Sequence, residues 1–159
     1  MQKIIPFLWF EDKAEEAMEF YLSIFKDAKR GETTRYADDV PGPKGKIMSA
    51  DFTLCGQEFI VLNGGPVEGF TFSPAISFLI NCETQREVDD LWKKLSDGGE
   101  EGQCGWLTDK FGITWQIVPT ALGELMNDPD PARAQRATQA MLKMKKLDIA
   151  ALKAAADGE

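Results

Sequence analysis

The chain has 159 residues and not one histidine. That absence closes the Ser-His-Asp and Cys-His catalytic pairs, HExxH zinc sites and any iron or copper centre held by imidazole. Cysteine is scarce: Cys55, Cys82 and Cys104 form no CxxC and are odd in number. With no secretory leader ahead of Met1-Gln2-Lys3-Ile4-Ile5-Pro6, they read as reduced thiols in a cytoplasmic protein. Positive charge is short too, 18 Lys and Arg against 26 Asp and Glu, for a net charge of −8. Such a surface repels a phosphate backbone, which argues against a nucleic-acid partner. No window approaches the roughly 18 uncharged apolar residues of a membrane helix, so no membrane partner is expected. What remains, 43% hydrophobic and 28% charged, is the composition of a soluble globular protein.

Ile4 to Phe10 is an apolar and aromatic run that reads as a buried strand. Ala14, Ala17, Met18, Tyr21, Ile24 and Phe25 then recur at helical spacing, with Glu15, Glu16 and Glu19 on the wet side. Residues 32–37 and 46–54 read as strands separated by the breaker-rich Asp38–Gly45 segment. In the second of them Met48, Ala50, Phe52 and Leu54 alternate with Ser49, Asp51 and Thr53, which leaves one face wet or lining a cavity. Cys55-Gly56 is a tight turn into Glu58–Leu62, which ends at Asn63-Gly64-Gly65-Pro66.

The order then repeats: a strand over Ala75–Asn81, a helix marked by Val88, Leu91, Trp92 and Leu95, a stop at Gly98-Gly99, a hairpin-like region, and a strand over Ile113–Val118. A shift of 71 residues lays Ala17, Phe20, Tyr21 and Ile24 on Val88, Leu91, Trp92 and Leu95; a shift of 56 lays Gly56 on Gly112. Two β-α-β-β-β units, 1–65 and 74–119 with linker 66–73, describe this most simply, an α+β fold with curved mixed sheets. Residues 120–159 form a C-terminal helical extension: an acidic cap and early proline at Asn127–Pro131, a Met- and Leu-bearing helix, then a second short helix. Its six basic and six acidic residues balance, so the acidic excess lies in the double-unit body.

Six segments together resemble the PhnB-like family: Pro6-Phe7-Leu8-Trp9-Phe10, Glu19-Phe20-Tyr21, Leu62–Pro66, Pro74–Phe78, and Cys104–Gly112 with Trp115–Pro119. The tail, through Asp128–Pro131 and Met144–Asp148, is similar to that family as well. The family belongs to the vicinal oxygen chelate superfamily, with glyoxalase I, extradiol dioxygenases and the fosfomycin and bleomycin resistance proteins. Many members carry the label 3-demethylubiquinone-9 3-methyltransferase. The resemblance implies paired sheets around a cleft, commonly holding a divalent metal on ligands from the first and last strand of each unit. Carried over by strand register, those positions fall near Pro6, Ile60, Ser77 and Gln116. Only Gln116 and, feebly, Ser77 offer oxygen there, and divalent metals need several converging donors. The expectation is a metal-free protein with no cofactor, a homodimer binding a small apolar or aromatic metabolite.

Gln116, an amide on a buried strand, is the strongest ligand-binding candidate, followed by Ser77 and Asn63. Trp106 and Trp115 are candidates to stack on a planar ligand. Cys104, Gly-flanked and turn-like, is the catalytic candidate; a thiolate there needs a base, and Lys110 is the nearest in sequence. Asp109 reads as a turn former. Two other functions stand beside the binding one. One is an enzyme doing methyl transfer or acid/base isomerisation with Gln116 and Cys104; the other is a resistance-type protein that sequesters a ligand, a cationic one if its groove is acidic. Gly64-Gly65-Pro66 follows the last strand of a unit, and so reads as a turn rather than the cradle of a methyl donor.

Overall fold

Apolar residues at the start of the chain form β1 (Phe7–Phe10), and the helical spacing after it forms α1 (Ala14–Ile24), in a computed structural model that describes residues 1–159. β2 (Ala28–Arg35), β3 (Ile47–Leu54) and β4 (Gln57–Asn63) follow, in the sheet order β1-β4-β3-β2 with β1 and β4 parallel. Ala14, Ala17, Met18, Tyr21 and Ile24 of α1 are buried, as are Ala50, Phe52, Leu54, Phe59 and Val61 of the sheet it packs on. Their rings stack in series, Tyr21 to Phe52 at 6.5 Å and Phe52 to Phe59 at 5.4 Å between centroids. Cys55 and Gly56 take φ of 50° and 79° between the paired residues Leu54 and Gln57. This is the two-residue hairpin whose positive φ values match the twist of the flanking strands.

The second unit repeats the order. β5 (Ser77–Cys82), α2 (Gln85–Ser96), β6 (Glu100–Glu101), β7 (Trp106–Thr108) and β8 (Thr114–Pro119) form a sheet ordered β5-β8-β7-β6 with β5 and β8 parallel. α1 begins at Ala14 and α2 at Gln85, which is the 71-residue shift. Val88, Leu91, Trp92 and Leu95 bury the helix on Leu107, Trp115 and Ile117. Thr84 caps α2 by accepting from the Glu87 N–H at 3.2 Å. The fold is thus the α+β, glyoxalase/bleomycin resistance-like arrangement, with five helices and two four-stranded mixed sheets.

Two strands start three or more residues from where the sequence suggests. β2 begins at Ala28 rather than at residue 32, because its residues are exposed almost throughout and carry no alternation. Pairing with β3, through two register shifts, makes it a strand. β1 begins only at Phe7; Pro6 lies before it, although its carbonyl accepts from the Ile60 N–H at 3.0 Å.

The C-terminal segment holds three helices rather than two: α3 (Thr120–Met126), α4 (Pro131–Leu142) and α5 (Ile149–Asp157). α3 follows β8 directly and buries only Leu122, so it leaves little periodic signal. Asp130 caps α4 ahead of Pro131, and Asp148 caps α5. Leu122, Leu147 and Leu152 form a buried cluster with Val118 and Met144 packed against it. By its contacts the chain divides into Met1–Phe70 and Thr71–Glu159, so these helices belong to the second unit. No helix is long and apolar enough to cross a membrane.

Candidate functional site

Strand pleating decides which side chains of the second sheet are available. Paired residues on neighbouring strands point to the same side, and successive residues alternate. Leu107, Trp115, Ile117 and Cys82 therefore share the buried side that faces α2. The opposite side carries Ser77 and Leu79 of β5, Thr114 and Gln116 of β8, and Trp106 and Thr108 of β7, since Leu79 and Trp106 are both level with Gln116. Gln116 and Trp106 are half-buried, and Leu79 is 50% exposed. The Gln116 Nε2 donates to Ser77 Oγ at 2.9 Å, which leaves the amide carbonyl and second N–H open. The structure thus brings together three of the sequence candidates, Gln116, Ser77 and Trp106, on one face that mixes apolar side chains with neutral hydrogen-bonding groups. Sequence reading missed Thr114 there, although its place two residues before Gln116 on a strand puts it on the same side.

Trp115 is one residue from Gln116 and so on the other side: it is 3% exposed, and its indole Nε1 donates to Asp109 Oδ2 at 2.9 Å. It packs against Phe78, ring centroids 5.4 Å apart, and holds the core. Asp109 also accepts from the backbone N–H groups of Phe111 and Ile113, as a turn former does.

Asn63, 3% exposed, accepts from the Ala14 N–H at 2.9 Å through Oδ1 and donates through Nδ2 to the Ile47 carbonyl at 3.1 Å. Lys13, the residue before α1, makes no side-chain cap, so Asn63 caps that helix from the sheet.

Cys104 and Gly105 both have positive φ, 57° and 85°, and the Trp106 N–H bonds to the Gln103 carbonyl across them. Their own N–H groups donate to the carbonyls of Met144 and Lys145, both at 2.8 Å. A Cβ on Gly105 would lie 2.9 Å from the Ile117 carbonyl oxygen and 3.0 Å from Leu147 Cδ1. The turn fastens the C-terminal helices to the second sheet. The Lys110 ammonium lies over the Phe111 ring, 5.6 Å from its centroid. Cys82 is fully buried, and burial first, with Glu87 adding, pushes its thiol up to about 12, so it stays protonated.

The first unit has its own open side. Phe7 and Trp9 of β1 lie level with Ile60 and Leu62 of β4, and Phe7 is 56% exposed. Phe70 meets Trp9 edge to face at 5.1 Å. Asp51, on the same side, accepts from the Glu32 N–H at 3.0 Å. Strand pairing sets Phe7 level with Ile60 and Leu79 level with Gln116, so the first strands are shifted by 72 residues where the helices are shifted by 71.

At the four carried-over positions Pro6 and Ile60 have no side-chain donor atom, and Ser77 and Gln116 bond to each other. Phe7 and Leu79, level with the last-strand residues, are apolar. No group of three or more His, Cys, Asp or Glu side chains is placed to hold a metal ion. This donor set does not fit a divalent metal. Nor does Gly64-Gly65 fit a methyl donor. A Cβ on Gly64 would overlap the Trp9 ring, and the Gly65 carbonyl accepts from Trp9 Nε1 at 3.1 Å, so tryptophan already fills the turn.

The model of the 3-demethylubiquinone-9 3-methyltransferase family matches residues 2–118. Among solved structures, the PhnB protein of Bacillus cereus is 40% identical with a TM-score of 0.70, over 75% of this chain and all of its own. Protein PA1353 of Pseudomonas aeruginosa is 22% identical (TM-score 0.59), over 75% of this chain and 98% of its own. The fosfomycin resistance protein FosX of Listeria monocytogenes, complexed with Mn(II) and sulfate, shares the fold at 15% identity (TM-score 0.52), over 79% of this chain and 97% of its own. No curated protein matches the sequence.

Proposed function

The chain belongs to the 3-demethylubiquinone-9 3-methyltransferase family, within the vicinal oxygen chelate superfamily, and from that premise we propose that it binds a small, uncharged, apolar or aromatic metabolite without a metal. The observation that carries this reading is the half-buried Gln116 amide, tied on one side to Ser77 and open on the other, beside Trp106 and the exposed Leu79. Neutral donors and acceptors beside Trp106 and Leu79 favour a ligand with an uncharged oxygen; a carboxylate or a cation would meet no opposite charge among these side chains. The indole of Trp106 supplies a flat apolar surface next to the amide. No reaction is assigned, because the site offers neither a metal's donors nor a methyl donor's cradle.

The test is calorimetric titration with 1-tetralone, an aromatic ketone, beside tetralin, which has the same rings and no oxygen. 1-Tetralone is expected to bind the tighter, and Gln116→Leu to weaken it about tenfold, one hydrogen-bonded contact in a semi-buried site. Equal affinity of Gln116→Leu and the unaltered protein for 1-tetralone would refute Gln116 as the anchor. Stoichiometric zinc, nickel, iron or manganese in the purified protein would refute the metal-free reading. The exposed apolar side chains Phe7 and Phe70 in one unit and Ile76 and Leu79 in the other support a homodimer, which sedimentation equilibrium tests.

A further inference from the structure

Thr114 holds the one buried side-chain oxygen or nitrogen without a hydrogen-bond partner, its Oγ1, in a residue 3% exposed. An unpaired buried hydroxyl is costly, and persists where something else requires it. Thr114 is level with Ser77 of β5 and lies on the same side as Gln116. The Ser77 hydroxyl next to it accepts from the Gln116 amide at 2.9 Å, in a position from which its own O–H does not reach Thr114.

We propose that these three side chains form a hydrogen-bond exchange by which Gln116 turns its Ser77-bound N–H to the ligand. When a ligand oxygen takes the N–H that Gln116 gives to Ser77, the amide leaves Ser77, and the Ser77 hydroxyl, no longer held in that rotamer, turns to Thr114 Oγ1. Neighbouring strands lie about 4.8 Å apart, and hydroxyls on level residues reach one another across that gap. In the free protein the amide is paired and Thr114 is not; with ligand bound, all three are paired. The cost of parting Gln116 from Ser77 is offset by the partner Thr114 gains. Thr114 is therefore a positioning residue, acting on the ligand through Ser77 and Gln116. The exchange rests on the reading of Gln116 as the ligand anchor.

One test needs no ligand. Thr114→Val keeps the shape and removes the hydroxyl. In the otherwise unaltered protein it removes an unpaired group, and the melting midpoint is expected to rise by about 2 °C or more. In the Gln116→Leu background Ser77 is already released and pairs with Thr114, so the same substitution is expected to lower the midpoint. Adding Ser77→Ala to that background removes the reversal. A double-mutant cycle cancels whatever Thr114→Val does by itself. A change of the same size in both backgrounds, up or down, overturns the exchange.

The second test uses 1-tetralone. Thr114→Val is expected to weaken binding about threefold to tenfold, and Thr114→Ser, which keeps the hydroxyl, to restore it. Thr114→Val that binds as tightly as the unaltered protein, or Thr114→Ser as weak as Thr114→Val, also overturns the proposal. If Gln116→Leu leaves affinity unchanged, the anchor reading fails and the role in binding fails with it. The comparison of the two backgrounds still judges the hydrogen-bond exchange by itself.

Discussion

Replacing Asn63 by alanine separates a structural asparagine from a ligand contact. The side chain is buried and joins the Ala14 N–H at the start of α1 to the Ile47 carbonyl at the start of β3, at 2.9 and 3.1 Å. Alanine leaves both backbone groups buried without that partner. Each orphaned group costs about 1–3 kcal/mol. The first of them is also the helix cap, itself about 1 kcal/mol in other helices, so the cap and the orphaned N–H are partly the same loss. The expected total is about 2–4 kcal/mol. Urea unfolding checks it as a fall in midpoint at unchanged slope, and amide exchange at Ala14 is expected to accelerate. A loss under about 1 kcal/mol would refute the cap. A variant of unaltered stability with weakened 1-tetralone binding would instead make Asn63 a ligand contact.

Gly105→Ala forces a side chain into a φ of 85° and within 3.0 Å of Leu147 Cδ1, and is expected to cost about 2–3 kcal/mol. Limited proteolysis followed by mass spectrometry is expected to show faster cleavage between Met144 and Glu159; an unchanged digestion pattern contradicts the fastening role of the turn. Cys82 has a thiol raised from an ordinary 9.0 to about 12, so the unfolded chain releases that proton at lower pH than the folded one. Its contribution is fully present below pH 9 and is lost as pH rises from 9 toward 12. Cys82→Ala is expected to flatten the alkaline fall in stability, and iodoacetamide at pH 8 to spare Cys82 until the protein unfolds. Rapid alkylation of Cys82 in the folded protein refutes its burial.

Much of the fold was legible because its signals are local. Periodic apolar residues placed α1 and α2, the turn at Cys55-Gly56 placed a hairpin, and the 71-residue shift disclosed the duplication. β2 and α3 were less legible for the same reason: one is exposed along nearly its whole length and the other buries a single leucine.

The candidate site divides in the same way. Composition by itself closed imidazole chemistry, and the residues at the carried-over positions argued against a metal, since a missing donor is missing in any conformation. Tertiary structure decided which of two tryptophans is available. Trp106 is level with Gln116, whereas Trp115, the chain neighbour of Gln116, turns to the core, because one step along a strand reverses a side chain. It decided too that Asn63 caps a helix whose first N–H lies 49 residues away in sequence, and that the Thr114 hydroxyl is buried unpaired beside a serine that accepts from Gln116. Charge, periodicity and donor inventory are properties of residues and short windows. The partners of a buried polar atom are set by strands that meet only when the chain has folded.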